Sequence, residues 1–128
     1  MPPSHWQVKD PLGSSYHCSA ATVVVGVSFV ECVIVNPGQS GAYVGSMIQV
    51  TNVSSEQRVV EGTTETLIDQ GTRFSYVECG STAILAGETL SCHTGARVAL
   101  PHGRDVWAQG ALTENAINTA AVSPKWKT

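Results

Sequence analysis

The sequence predicts an all-β domain, an antiparallel β-sandwich of about seven or eight strands stapled by two disulfides. Runs rich in β-branched residues recur about every ten residues and are separated by turns of glycine, proline and asparagine. No segment keeps the apolar period of about 3.6 residues that a helix packed on a core needs. Four cysteines fall into two close pairs, Cys18 with Cys32 and Cys79 with Cys92.

Length and charge bound the organisation and the partners. A chain of 128 residues is the size of one ordinary domain. We expect an N-terminal arm over residues 1–17 and a single sandwich over residues 18–128. Charged residues make up only 13% of the chain and the formal net charge is -3. Without a basic field, nucleic acid is excluded as an expected partner.

The arm carries prolines and isolated apolar residues. Trp6, Val8 and Tyr16 stand in polar surroundings, so the segment can add as a strand to a partner's sheet, with Trp6 filling a pocket. Two other interpretations stay open, a disordered leader and an arm folded over this domain's own core.

The longest apolar run, Ala20 to Val35, is rich in valine and predicts one long strand or two strands broken near Gly26. Polar residues interrupt the run and it is shorter than the roughly 20 residues that span a bilayer, so we expect no membrane segment. If Cys18 bonds to Cys32, the chain must fold back between them, because one extended strand would separate them by about 45 Å.

The remaining strands follow in order. Gly62 is expected to mark a bulge in its strand, and a glycine turn is expected before Cys92. The predicted segments are Tyr43 to Val53, Arg58 to Ile68, a half-exposed run from Phe74 to Cys79, a corner around Gly87, and a closing hairpin of Val106 to Thr113 and Ile117 to Val122 around the turn Glu114-Asn115.

The cysteines favour disulfides over metal ligation. His17 precedes Cys18 and His93 follows Cys92, which suggests zinc as the rival, but adjacent strand residues point to opposite faces and no CxxC knuckle is present. Four cysteines allow three connectivities, and the sequence leaves crossed pairs open. Disulfides predict an oxidising compartment and therefore a secreted protein whose signal peptide has been removed.

Catalytic patterns are missing from the sequence. There is no GxSxG elbow, HExxH helix, P-loop or GxGxxG turn, so we expect no enzyme, no metal and no cofactor. Two carboxylate pairs have the residue types of a glycosidase site, and we interpret them as solvated strand faces. These pairs are Glu61 with Glu65 and Asp69 with Glu78.

A second candidate binding region lies near the C-terminus. Trp107, Trp126 and Arg104 are residue types favoured at interfaces and against sugar rings, which makes them the candidate site for a carbohydrate or small ligand. The competing interpretation is that Trp107 covers the sheet or core.

The segments ILAGETLSC and VWAQGALTENAINTAAVSP resemble the small secreted immunoglobulin-like modules of actinobacteria. The likeness lies in a leucine-alanine-glycine-glutamate corner that enters a cysteine-bearing strand, followed by a Thr- and Ala-rich hairpin. It covers about the last third of the chain. The resemblance implies an immunoglobulin-like sandwich similar to enediyne apoproteins and to connector subunits of secreted toxin particles. The local cysteine pairs depart from the long spacing of antibody domains.

The function expected from these observations is a secreted, non-catalytic adaptor that holds another protein in an extracellular assembly by strand addition through the arm. The alternatives are a carbohydrate or small-ligand module and a secreted protease inhibitor whose reactive loop would be Gly80 to Glu88.

Overall fold

The computed structural model describes residues 6–8, 13, 15–94 and 98–128. In this part of the chain, twelve strands form two antiparallel sheets packed face to face, which confirms the all-β sandwich. The described residues contain no helix that could cross a membrane. The predicted count of about seven or eight strands was too low.

Sheet A has the order β1-β8-β5-β4-β2, with β3 beside β4 and β9 beside β5. Its strands are β1 (Trp6–Val8), β2 (Tyr16–Cys18), β3 (Thr22–Val24), β4 (Val27–Pro37), β5 (Ala42–Asn52), β8 (Thr89–His93) and β9 (Val98–Leu100). Sheet B has the order β11-β10-β6-β7, with β12 beside β10. Its strands are β6 (Arg58–Ile68), β7 (Thr72–Ile84), β10 (Asp105–Glu114), β11 (Ile117–Val122) and β12 (Trp126–Lys127).

The strand count is higher because three long strands each pair, along one edge, with two shorter strands instead of one continuous strand. β2 and β3 both pair with β4, β8 and β9 both pair with β5, and β11 and β12 both pair with β10. Strands of two or three residues are too short to show alternation, so a sequence pattern does not separate them.

The valine-rich run is two strands, as one of the two interpretations predicted. β3 and β4 form a hairpin in which Val24 lies opposite Val27, so the turn is Val25-Gly26. The predicted bulge is also confirmed, because the register between β6 and β7 shifts between Val60 and Gly62.

The closing hairpin of β10 and β11 is confirmed with its turn one residue later than predicted. Glu114 pairs with Ile117, which leaves Asn115 and Ala116 as the turn. Both turn residues have positive φ, 51° and 63°, as tight two-residue hairpins require.

Both local disulfides are present, Cys18–Cys32 and Cys79–Cys92, and no cysteine is free. Cys18 lies directly opposite Cys32 in neighbouring strands of sheet A. The second bond joins β7 of sheet B to β8 of sheet A and so ties the two layers together. Zinc ligation by these thiols is thereby excluded, and the two bonds indicate an oxidising environment.

The space between the sheets holds two apolar clusters. The first includes Phe29, Ile48 and Leu112, and the second includes Val33, Val44 and Ala108. The residues between them on the same three strands are polar or lack a side chain. These intervening residues are Glu31 on β4, Ser46 on β5 and Gly110 on β10. A buried polar layer therefore divides the core.

Candidate functional site

The N-terminal segment is used within the domain. Trp6 to Val8 pairs with Leu90 to Cys92 of β8, and the Trp6 indole N–H donates to the Gly80 carbonyl at 2.8 Å. Trp6 packs against the first core cluster, while the side chain of Val8 lies outside the described part of the structure. The structure thus shows the alternative arrangement, an arm folded over its own core.

Tyr16 also belongs to sheet A. It lies opposite Ile34 in the β2–β4 pair and packs on a third apolar cluster that contains Cys32, Ile34 and Met47. The strand Tyr16–Cys18 crosses the predicted boundary between arm and sandwich at residue 17, so that boundary is corrected.

The predicted trio of Trp107, Trp126 and Arg104 is not assembled into one pocket. The Lys125 ammonium sits 4.8 Å from the centre of the Trp107 ring. Trp126 stacks on His17 with ring centroids 3.5 Å apart, and burial lowers the pKa of that histidine. Arg104 forms a two-pronged ion pair with Asp69. Each member of the trio already has an intramolecular partner.

A groove of about 380 Å³ crosses the outer face of sheet B. All four long strands of the sheet contribute to it, and its floor is formed by small side chains, with Ala111 opposite Ala120. Its lining residues are Thr63, Glu65, Arg73, Tyr76, Gln109, Gly110, Ala111, Ala120, Ala121 and Val122.

The polar side chains at one end of this groove are held in place by each other. Glu65 accepts hydrogen bonds from Arg73 Nε at 2.5 Å and from Gln109 Nε2 at 2.7 Å. The Arg73 guanidinium lies 4.3 Å from the centre of the Tyr76 ring. Burial and a hydrogen bond donated to Glu78 raise the pKa of Tyr76, so its phenol stays neutral and its O–H stays a donor at neutral pH. Such mutual contacts fix the side chains before a ligand arrives.

A second depression of about 180 Å³ continues the groove, because both are lined by Thr63 and Ala111. Glu61 and Glu78 both line this depression. Glu61 is within 3.5 Å of the Ser81 hydroxyl, and no salt bridge in the described part of the chain involves either carboxylate. The two depressions together form one channel. At one end, Glu65, Arg73 and Gln109 are held in place by their mutual contacts, and at the other end lie the carboxylates of Glu61 and Glu78.

The carboxylate pairs suggested by the sequence are rearranged in space. Glu65 forms an ion pair with Arg73, and Asp69 forms one with Arg104. Glu61 and Glu78 instead line the second depression together. The sequence did not single out the groove itself. Its one signal is alternation on β6 and β10, which places small or polar residues such as Thr63 and Ala111 on the face away from the core.

A buried carboxylic acid is the other group that sequence reasoning missed. Glu31 is 0% exposed; one carboxylate oxygen accepts a hydrogen bond from Thr64, and the other has no partner among the described atoms. The second oxygen lies against Gly110, where an added Cβ would come within 2.8 Å of it. Burial raises the pKa of Glu31 well above its usual range, so the acid is held neutral.

Metal-ligating side chains do not converge in the part of the chain that the structure describes: no three His, Cys, Asp or Glu residues form a group that could hold an ion. No known family model matches this sequence. A search of curated proteins found no significantly similar sequence either.

Proposed function

We propose that this chain is a secreted, non-catalytic binding module that holds an extended segment of another protein in the groove of sheet B. The channel formed by the two depressions carries the proposal, because it crosses all four long strands and ends in the carboxylates Glu61 and Glu78. Secretion is supported by the two disulfides and by the low content of charged residues.

The shape of the channel favours a peptide chain over a compact ligand. Its floor of alanine and threonine lets a backbone approach the sheet closely, while Arg73 and Gln109 offer donors beside it. Donors that are already positioned lose little side-chain entropy on binding. In place of the arm that was expected to add to a partner's sheet, the domain would supply a preformed surface.

The chemistry of the carboxylate end predicts the character of the bound segment. Glu61 and Glu78 line the same depression, and every arginine that the structure describes is paired with another acidic residue. We therefore expect the segment to place a lysine or arginine over these two carboxylates.

A peptide-display library tests this function even though the partner is unidentified. Linear peptides selected on the wild-type domain should be enriched in a basic residue and should bind the Ala111→Trp variant at least about tenfold more weakly, because the indole fills the groove floor. Ala20→Trp is the matched control, since Ala20 is exposed on the loop between β2 and β3.

A second pair of variants tests the role of charge. Glu61→Gln combined with Glu78→Gln should weaken the selected peptides by about tenfold, whereas Glu88→Gln, which removes a carboxylate outside the groove, should leave them unchanged. Peptides that bind the groove-filled variant as tightly as wild type would contradict the proposal.

A carbohydrate module is the second candidate, and it is favoured by the position of Tyr76 beside Gln109 and Glu65 in the same groove. A glycan array probed with wild type and Ala111→Trp decides between the two. If the wild type binds a glycan saturably, the variant does not, and no peptide is enriched, then the ligand of the groove is a carbohydrate and not a protein segment.

A further inference from the structure

The four turns at one end of the sandwich form a connected surface. They join β3 to β4, β5 to β6, β7 to β8 and β10 to β11. The Val53 N–H donates to the Gly26 carbonyl at 3.0 Å, and the Gly87 N–H donates to the Asn52 carbonyl at 2.9 Å. Arg58 bridges to Glu114 at 3.3 Å. These bonds hold the turns as one unit.

This end exposes aliphatic side chains where turns ordinarily carry polar ones. We call it the aliphatic pole and define it by Val25, Val53, Leu85 and Ile117, which are 53, 59, 56 and 46% exposed. Of the ten large apolar side chains exposed in the described part of the chain, six lie at or beside this end: Val23, Val25, Val53, Val59, Leu85 and Ile117. Such concentration on a soluble domain marks an interaction surface.

Val25 adds a conformational argument. Its φ is +53°, a region that β-branched residues rarely adopt, and its side chain gains little burial in return. An apolar side chain that is both strained and solvated is unfavourable in the isolated domain. Contact with a partner would explain why it is there.

The opposite end has the complementary character. We call it the cleft pole, and it carries an open depression of about 520 Å³ lined by the turn between β4 and β5 and by β9, which pairs with β5 there. His102, which follows the lining residue Pro101, has its Nε2 within 3.2 Å of the Gln39 carbonyl. Tyr43 stands exposed in the lining.

Charge also distinguishes the two ends. The turns of the aliphatic pole carry Glu56 and Glu88, while the strand-end residues Glu114 and Arg58 pair with each other, so the formal charge of the described groups there is negative. Among the described residues around the cleft pole, the cations exceed the carboxylates by one, and Lys125 has no carboxylate partner in this part of the chain. The groups there are Arg104, Lys125 and Lys127 with Asp69 and Asp105.

We propose that the domain self-associates head to tail, with the aliphatic pole of one copy seated in the cleft pole of the next. The β7–β8 turn supplies the projecting group, because Leu85 and Ala86 are both exposed at its tip. A projection and a cleft at opposite ends of one molecule make a heterologous contact, which extends into a chain of copies. This contact is independent of the groove on sheet B.

Sedimentation velocity between about 10 µM and about 1 mM tests the contact. The wild type should show an average mass that rises with concentration. Leu85→Asp and Ala99→Trp should each weaken association by about tenfold, since the first places a charge on the projecting turn and the second fills the cleft. Val122→Asp, an equally apolar-to-charged change in the groove of sheet B, should associate like wild type.

Mixing the two defective variants gives the decisive result. Leu85→Asp keeps an intact cleft and Ala99→Trp keeps an intact aliphatic pole, so together they should form a one-to-one complex that neither forms alone. If Ala99→Trp alone dimerises as well as wild type, the contact is pole to pole and the proposal fails. A wild type that stays monomeric throughout, including one that binds phosphatidylcholine vesicles through Leu85, also overturns it.

Discussion

Asn52 at the aliphatic pole and Glu31 in the middle of the sandwich are both 0% exposed, yet their hydrogen bonding differs. The Asn52 amide donates to the carbonyls of Glu56 and Ile84, both at 2.8 Å, and its oxygen accepts from the amide and hydroxyl of Ser54 at 2.9 and 2.7 Å. Glu31 has one hydrogen-bonded oxygen and one without a partner among the described atoms.

The difference shows two ways in which one fold accommodates a buried polar side chain. At Asn52 the chain turns around the side chain and supplies four partners from the backbone and a serine, so the group links the end of β5 to the following turn and to the end of β7. At Glu31 the neighbours are regular strands whose backbone groups are already paired, so burial is met by keeping the acid neutral. The first group fastens the fold, and the second makes it sensitive to pH.

Replacing Asn52 by alanine is the largest expected effect. Asn52→Ala removes the amide donor of the Ile84 carbonyl, leaves the Glu56 carbonyl with only the Ser54 hydroxyl as a side-chain donor, and frees the Ser54 turn, so we expect the free energy of unfolding to fall by roughly 3 kcal/mol. Urea denaturation measures the change. Asn118→Ala is the control, because this exposed asparagine bonds only to Thr113 in the described part and should cost under about 0.5 kcal/mol.

A loss at Asn52 no larger than the control would mean that the four bonds add nothing beyond those the unfolded chain makes with water.

Replacing Glu31 by glutamine has the next largest effect, and the effect depends on pH. Because the folded pKa lies above the unfolded value of about 4.3, the folded state keeps a proton that the unfolded chain releases. The contribution of Glu31 to stability is therefore full below about pH 4 and is lost as the pH rises toward the folded pKa. Glu31→Gln cannot titrate and lacks this loss.

We expect the stability of Glu31→Gln relative to wild type to increase as the pH rises from about 4 to about 7. Parallel denaturation curves at several pH values measure it, and the slope does not depend on any constant packing difference. A relative stability that stays flat with pH would show that Glu31 ionises normally in the folded state.

The sequence could predict the strands, their turns and the bulge because these features depend on residues that are close along the chain. Gly26 and Gly62 mark the break and the bulge where they were expected. The burial of Glu31 is different in kind. In the sequence it is a polar interruption of a valine run, and only the approach of Thr64 from the other sheet turns it into a buried acid.

The candidate sites failed to follow from the sequence for a similar reason. Trp107 and Trp126 are candidates by residue type, but type does not say that Lys125 and His17 lie against their rings. The groove is built from unremarkable residues such as Ala111, which becomes part of a floor only when β10 and β11 pair. Such sites depend on which residues the strand register places side by side, and a pattern within one strand does not give that register.

Removing the Thr64 hydroxyl, which forms a hydrogen bond with Glu31, should have a smaller effect on the free energy of unfolding. The Thr64 hydroxyl also lies 2.9 Å from the Ser46 hydroxyl, within hydrogen-bond distance, so Thr64→Val leaves two buried polar groups with fewer partners at unchanged shape. We expect a loss of about 1.5 kcal/mol at neutral pH. Because the Thr64 hydrogen bond lowers the pKa of Glu31, the variant should also raise that pKa further.

The double variant Glu31→Gln with Thr64→Val checks the assignment to this pair. If the hydroxyl acts through Glu31, the pH dependence added by Thr64→Val disappears when residue 31 cannot titrate. Persistence of that pH dependence in the double variant would assign it to another acid.

Removing one of the four partners of Asn52 is the smallest expected effect. Ser54→Ala deletes the hydroxyl that donates to Asn52 and accepts from Arg58 Nε at 3.2 Å, but the Ser54 amide still bonds to the same oxygen. We expect a loss of about 0.7 kcal/mol by urea denaturation, since this turn is partly exposed and water can replace the hydroxyl. A loss as large as that of Asn52→Ala would instead locate the fastening in the serine turn, with the asparagine only following it.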